Sequence, residues 1–160
     1  MSKGQFKFSH RLRVRWAEAD MQSVVFNANY LLYFDVAITE YWRELGKSLP
    51  NLQDLFLIHT YVVKSTIDFL GPARFDEEID VCVRTTRMGS SSMKVGFEIH
   101  RDSVDGQTDH LISGESVYVF APDSKSAPLP TEIRALIASL VIFTVVNALV
   151  PSARNLQSKP

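Results

Sequence analysis

Apolar positions along the chain follow one period, switch to a second, and then return to the first. From His10 to Trp16, Leu12, Val14 and Trp16 alternate with Arg11, Arg13 and Arg15, the period of two that marks a half-buried strand. Beyond Asn27 the period lengthens. Leu31, Phe34, Ala37, Ile38, Tyr41, Trp42 and Leu45 fall on one side of a helix, with Asp35, Thr39, Glu40, Arg43, Glu44 and Lys47 on the other. Asn27 or Asn29 suits the N-cap and Gly46 the C′ stop, giving about five turns, or roughly 27 Å at 1.5 Å per residue. Alternation then returns in four runs: His59–Phe69, Glu78–Arg87, Ser92–Arg101 and Thr108–Phe120. The Gly71-Pro72 break, the Met88-Gly89-Ser90-Ser91 turn and the Asp105-Gly106 pair separate them. Residues 47–56, with Pro50, read as a loop with room for one helical turn. Strand, helix and four hairpin-joined strands predict an α+β fold with an antiparallel sheet.

Pro122, Pro128 and Pro130 end the sheet, and Thr131-Glu132 opens another helix. Between Arg134 and Arg154 there is no charged residue, and ALIASLVIFTVVNALV is apolar on every side. A membrane span needs about 20 apolar residues, and this run contains Ser139, Thr144 and Asn147. Three readings stand for 131–150: a helix buried against the sheet or in a subunit interface, a membrane-associated tail, or a helix breaking into a β-branched strand near Leu140; the role of 139–160 is open.

The chain of 160 residues suits one domain with a full core. A net charge of −1 argues against general nucleic-acid binding, which needs a basic excess. Arg11, Arg13, Arg15, Arg84, Arg87 and Arg101 still leave room for a local anion site. The single cysteine, Cys82, excludes an internal disulfide and a Cys-rich metal site, and its alternating run predicts a small buried or half-buried residue. His10, His59, His100 and His110 lack metal-ligand spacing, so no metal site is expected. MSKGQFKF has no apolar signal region, so the expected compartment is the cytoplasm.

The stretch DMQSVVFNANYLLYFDVAITEYWRELG places a carboxylate, Asp20, a few residues before a helix N-terminus. The unpaired N–H groups there suit developing negative charge. Asp20 reads either as a turn aspartate or as a reactive group. Ser113 and Ser116 have no His–Asp partner at recognisable spacing, which argues against a serine hydrolase.

Four pieces sharpen this reading: RVRWAEADMQSVVFNANYLLYFDVA, YVVKSTIDFLGPARFDEEIDV, TRMGSSSMKVGFEIHR and PLPTEIRALI. In order and spacing they resemble the 4-hydroxybenzoyl-CoA thioesterase family, which includes the Tol-Pal-associated acyl-CoA thioesterases. The resemblance covers roughly residues 10–138 and implies a hotdog fold, a five-stranded or slightly larger antiparallel sheet wrapped around one long helix. It also implies an acyl-CoA thioesterase that hydrolyses a thioester to a carboxylic acid and free CoA. CoA would be part of the substrate, with no cofactor needed. The family's catalytic carboxylate matches Asp20 and not Glu18, acting as nucleophile or general base. Its helix-start oxyanion donor matches the backbone N–H of Asn27, where family members often carry Tyr or His. Asn29-Tyr30 matches a family pair that serves capping and packing. The family usually has Gly where this chain has Ser23. His59, Arg87, Ser91 and Ser92 are candidates for contacting substrate or CoA, with Arg74, Arg84, Arg101 and Ser90 as further phosphate candidates. The resemblance further implies a homodimer or homotetramer with sites completed between subunits. A non-catalytic acyl-ligand-binding or interaction protein is the alternative.

Overall fold

The computed structural model describes residues 6–46, 59–102 and 108–138. Five strands, β1 (Phe8–Arg13), β2 (Thr60–Phe69), β3 (Glu78–Met88), β4 (Ser92–Asp102) and β5 (Thr108–Phe120), form one sheet in the order β1-β3-β4-β5-β2. Every pairing is antiparallel. One long helix, α1 (Asn29–Gly46), follows β1, and residues 131–138 are also helical. This is the hotdog arrangement. The expected Asp105-Gly106 turn, the loop at 47–56 and the apolar run beyond 138 lie outside the described residues. No helix among the described residues is long and apolar enough to cross a membrane.

α1 forms where the apolar spacing places it, and Asn29 rather than Asn27 is its first residue. Phe34, Ala37, Ile38, Tyr41, Trp42 and Leu45 are buried, together with Tyr30 and Tyr33. Each large apolar side chain removed from water contributes about 1.5–3 kcal/mol. Leu31 departs from expectation. It is exposed, as are Leu32 and Val36, because no described strand covers that side of the helix. β1 is also displaced from its expected span. It covers Phe8–Arg13, and Trp16–Glu18 is a 3₁₀ turn that carries Trp16 out to 76% exposure against Phe75, edge to face at 5.2 Å.

The helix sits down on the middle of the sheet. Phe34 stacks on Phe97 of β4, with ring centroids 4.3 Å apart and planes 10° from parallel. Gly114 of β5 makes room for it: a Cβ there would lie 2.5 Å from the Phe34 ring and 3.2 Å from the Thr66 carbonyl. Gly114→Ala is therefore expected to cost about 1–3 kcal/mol by overpacking. A lowered denaturant midpoint measures this, and an unchanged midpoint contradicts the contact.

Among the described residues β2 is an edge strand that pairs with β5 alone, with a bulge between Val62 and Lys64. Tyr61, Val62, Val63, Phe69 and the following Leu70 are all exposed along it. An open edge of ten residues rich in β-formers is a template for pairing with another strand.

Candidate active site

The segment between β1 and α1 folds back on itself. The Asp20 N–H donates to the Val24 carbonyl (2.9 Å), and the Ser23 N–H donates to the Asp20 carbonyl (2.9 Å). These two bonds close a three-residue hairpin loop, Met21–Ser23, flanked by an Ala19–Val25 bridge. Such loops end on a left-handed residue, and Ser23 holds that position with φ 61°. This explains why glycine is the usual occupant in the family that the sequence resembles. Ser23→Gly is expected to stabilise the chain by about 0.5–1 kcal/mol, because a non-glycine residue pays about 1–2 kcal/mol for this region. Thermal unfolding checks it, and a lower melting temperature contradicts it.

The hairpin fixes one side of Asp20. Oδ1 accepts the Gln22 N–H at 2.7 Å, while Oδ2 has no hydrogen-bond partner among the described residues. The group is half-buried. One oxygen is held and the other is presented, as a nucleophile or a base requires.

Glu18, two residues earlier, is committed elsewhere. Its Oε2 accepts the Arg15 N–H (2.7 Å) and the Tyr33 hydroxyl (2.8 Å), and its Oε1 accepts Arg15 Nε (2.7 Å). Burial pushes its pKa up, but these donors from Arg15 and Tyr33 outweigh burial and hold it below the ordinary glutamate value. Burial, then the bond to Glu18, pushes the Tyr33 phenol up. Glu18 is thus an anchor, and its carbonyl also accepts the Phe26 N–H and Asn29 Nδ2, each at 2.9 Å.

A depressed folded-state pKa stabilises the protein above the unfolded value of about 4.3, and that stability is lost as pH falls through the lower folded value. Glu18→Gln is therefore expected to cost about 1–3 kcal/mol at neutral pH. The difference from the parent should shrink below about pH 4. Denaturant midpoints across pH 3–7 measure it, and a pH-independent difference contradicts the assignment.

At the helix entry, Asn29 N–H donates to the Phe26 carbonyl (2.9 Å) and Tyr30 N–H to the Asn27 carbonyl (3.4 Å). The N–H groups of Asn27 and Ala28 have no acceptor among the described residues. Both lie at the positive end of α1, where an anion is favoured. The sequence motif points to Asn27 alone, and the Ala28 N–H joins it only through the backbone geometry of the helix entry. Asn29 ties the helix to the Glu18 carbonyl. Tyr30 is buried and its hydroxyl accepts the Ala73 N–H at 3.0 Å, fastening the helix to the Pro72-Ala73 turn. Val25 N–H donates to the Ala73 carbonyl (2.8 Å), and Val24 bridges to Arg74. Arg74 is therefore the candidate phosphate contact that the fold carries to the Asp20 loop.

The remaining candidates lie elsewhere in the chain. Asp20 follows the end of β1, which pairs with the start of β3. His59 precedes β2, Arg87 lies near the end of β3, and Ser91 and Ser92 turn into β4. These four share the opposite end of the sheet, where Phe120 N–H donates to the Ser91 carbonyl (2.9 Å) and Ala121 N–H to the His59 carbonyl (2.8 Å). Eleven residues of β3 span roughly 35 Å, so one chain does not bring them to Asp20. Arg134 donates to the carbonyls of Gly89 and Ser90, tying that hairpin to the helix at 131–138. Arg101 is ion-paired with Glu77 (2.9 Å) and Asp109 (3.0 Å), which takes it out of the phosphate candidates. Ser113 does have a histidine neighbour, His110 Nε2 at 3.1 Å. The same nitrogen faces Glu98, at 3.9 Å, so the set lacks the two-sided relay of a serine triad.

Comparison with known proteins agrees with this fold. The model of the Thioesterase superfamily matches residues 22–106, just over half of the chain. The match begins two residues beyond Asp20 and includes Asn27. An uncharacterized protein of Bacillus subtilis, YsmA, is 28% identical over 95 residues, covering 59% of this chain and 62% of that protein. The acyl-CoA thioester hydrolase YbgC of Escherichia coli is 26% identical over 134 residues, covering 84% of this chain and 92% of that one. Among solved structures, a thioesterase from Thermus thermophilus, complexed with coenzyme A and Zn, superposes with TM-score 0.71 at 28% identity over 87% of this chain and 97% of that one. The chain belongs to the Thioesterase superfamily and is a hotdog-fold thioester hydrolase.

Proposed function

We propose that the chain hydrolyses acyl-CoA thioesters with Asp20 as the reacting carboxylate and the N–H of Asn27 as oxyanion donor. The observation that carries this is the hairpin itself, which pins Asp20 Oδ1 and presents Oδ2 a few residues before two helix-start N–H groups that have no acceptor among the described residues. The thioester oxygen accepts the Asn27 N–H, with Ala28 N–H in reach of the same charge. Asp20 then either attacks the carbonyl carbon, giving an anhydride that water cleaves, or takes the proton of an attacking water. Both routes consume one water and release a carboxylic acid and the CoA thiol. Donors fixed before the reaction stabilise the tetrahedral oxyanion by roughly 3–4 kcal/mol each. Neither route calls on a cofactor, and a CoA-thioester substrate fits the cytoplasm.

The site is completed by a second copy of the chain. Antiparallel pairing of β2 with β2 of the partner sets the start of one strand beside the end of the other. His59, Ser91 and Ser92 lie at the start and Phe69 at the end, so the pairing carries the partner's hairpin toward this chain's Asp20. The exposed Leu31, Leu32 and Val36 of α1 and Tyr61, Val63 and Phe69 of β2 supply the apolar contact. The product is an isologous dimer.

Thiol release from a panel of aliphatic, aryl and hydroxylated acyl-CoAs tests the activity. Turnover of at least one class is expected. Binding without turnover of any would favour a non-catalytic acyl-ligand binder.

A further inference from the structure

Glu98 and His100 of β4 and His110 of β5 meet outside the Asp20 loop. Phe97 stacks on α1, so by strand alternation Glu98 and His100 point to the opposite face of the sheet. His100 stands directly across from His110 in the β4–β5 register. Their rings stack with centroids 4.6 Å apart and planes 18° from parallel. Glu98 Oε2 is 2.9 Å from His100 Nε2 and 3.9 Å from His110 Nε2. One nitrogen of each ring and one carboxylate oxygen all lie within 4.8 Å of one another.

Hydrogen bonding leaves the carboxylate incompletely satisfied. Glu98 is 2% exposed, and its Oε1 has no hydrogen-bond partner among the described residues. A buried carboxylate in that state requires compensation by a cation or a proton. A pocket of about 190 Å³, lined by Glu98, Ser113, Asp68 and Arg84 among others, opens onto it and gives an ion or water a way in. Two imidazoles and one carboxylate are a donor set that suits Zn²⁺, with water filling an open position.

We propose that Glu98, His100 and His110 bind one divalent transition-metal ion, Zn²⁺ by the chemistry of the donors. Ligand bonds of about 2.0–2.1 Å put tetrahedral donors roughly 3.4 Å apart, so the widest pair closes by about 0.7 Å from each side. Side-chain rotation supplies this. His110 Nε2 lies 2.9 Å from the Ile112 carbonyl and 3.1 Å from Ser113 Oγ. Ligation exchanges those contacts for the metal, and a pocket water takes the fourth position. Because β4 and β5 each supply a ligand, the ion clasps the two strands.

The test uses the full chain, stripped with chelator and titrated with Zn²⁺ alone against a chromophoric competitor. One ion per chain is expected, with a rise in melting temperature. His110→Ala should weaken binding by about 100-fold or more, while His10→Ala on β1 leaves it unchanged. Should His110→Ala fail to fold, Co²⁺ replaces Zn²⁺ in the parent chain and the visible absorption is read for a four-coordinate ion with histidine ligands. No stoichiometric binding, binding unaffected by His110→Ala, or a six-coordinate aqua-like Co²⁺ spectrum overturns the proposal. None of these readouts depends on thioester hydrolysis.

Discussion

Replacing Asp20 by Asn is expected to lower kcat for thioester hydrolysis by about 10²–10⁴-fold, with the fold intact. The amide keeps the size of the carboxylate and can still accept the Gln22 N–H at Oδ1, so the hairpin closed by Asp20, Ser23 and Val24 survives. What disappears is the negative charge on the oxygen presented to substrate. An amide neither attacks a thioester at a useful rate nor takes a proton from water. KM should change little, because the amide keeps the size and shape of the carboxylate, and a loss confined to kcat marks a group acting in the transition state. Thiol-release kinetics on the parent and variant, with circular dichroism to confirm folding, measure it. Full activity in the variant would remove Asp20 from the mechanism.

The second large effect concerns the open edge. Val63→Lys adds a second charge beside Lys64 in the middle of the β2 edge, where Val63 is 60% exposed. Charged edge residues block strand addition. The particle mass should fall to that of the 18.1 kDa chain, and activity should fall with it by about 100-fold or more, since displacement of positioning groups by about 1 Å already costs that much. Light scattering coupled to size exclusion reads the mass, and thiol release reads the activity. A monomeric variant with undiminished turnover would show that one chain carries a complete site.

Much of this fold is legible in the sequence because its periods are clean. The apolar stripe from Phe34 to Leu45 fixes α1, and alternation with Gly and Ser turns fixes β3, β4 and β5 to within a residue. Trp16 is misplaced by that logic: alternation continues through it, but the chain has already left β1 for the 3₁₀ turn that Glu18 and Arg15 organise. Leu31 is misplaced because helical spacing identifies an apolar face without showing whether the same chain covers it. The Ser23 conformation was open to inference, since a loop that usually takes glycine has a left-handed position there.

The Glu98–His100–His110 cluster was not legible. His110 and Ile112 are two residues apart, and strict alternation sets them on one face. The β4–β5 register shifts between Ile99 and His100, so that Ile112 stands opposite Ile99 while His110 stands opposite His100, with Leu111 as the extra residue. Such a bulge turns a side chain to the other face. Scattered histidines at unremarkable spacing thus become neighbours. The separation of Asp20 from Ser91 and Ser92 has a similar origin, because sequence order carries no sense of which end of a sheet a turn occupies.

The most direct measurement is a structure of the Asp20→Asn variant holding an intact acyl-CoA. The thioester oxygen is expected within hydrogen-bond distance, about 2.7–3.2 Å, of the Asn27 nitrogen. The carbonyl carbon should lie about 3–3.5 Å from the side chain at position 20. A thioester seated away from the start of α1, for instance beside Glu98 and Ser113, would contradict the account.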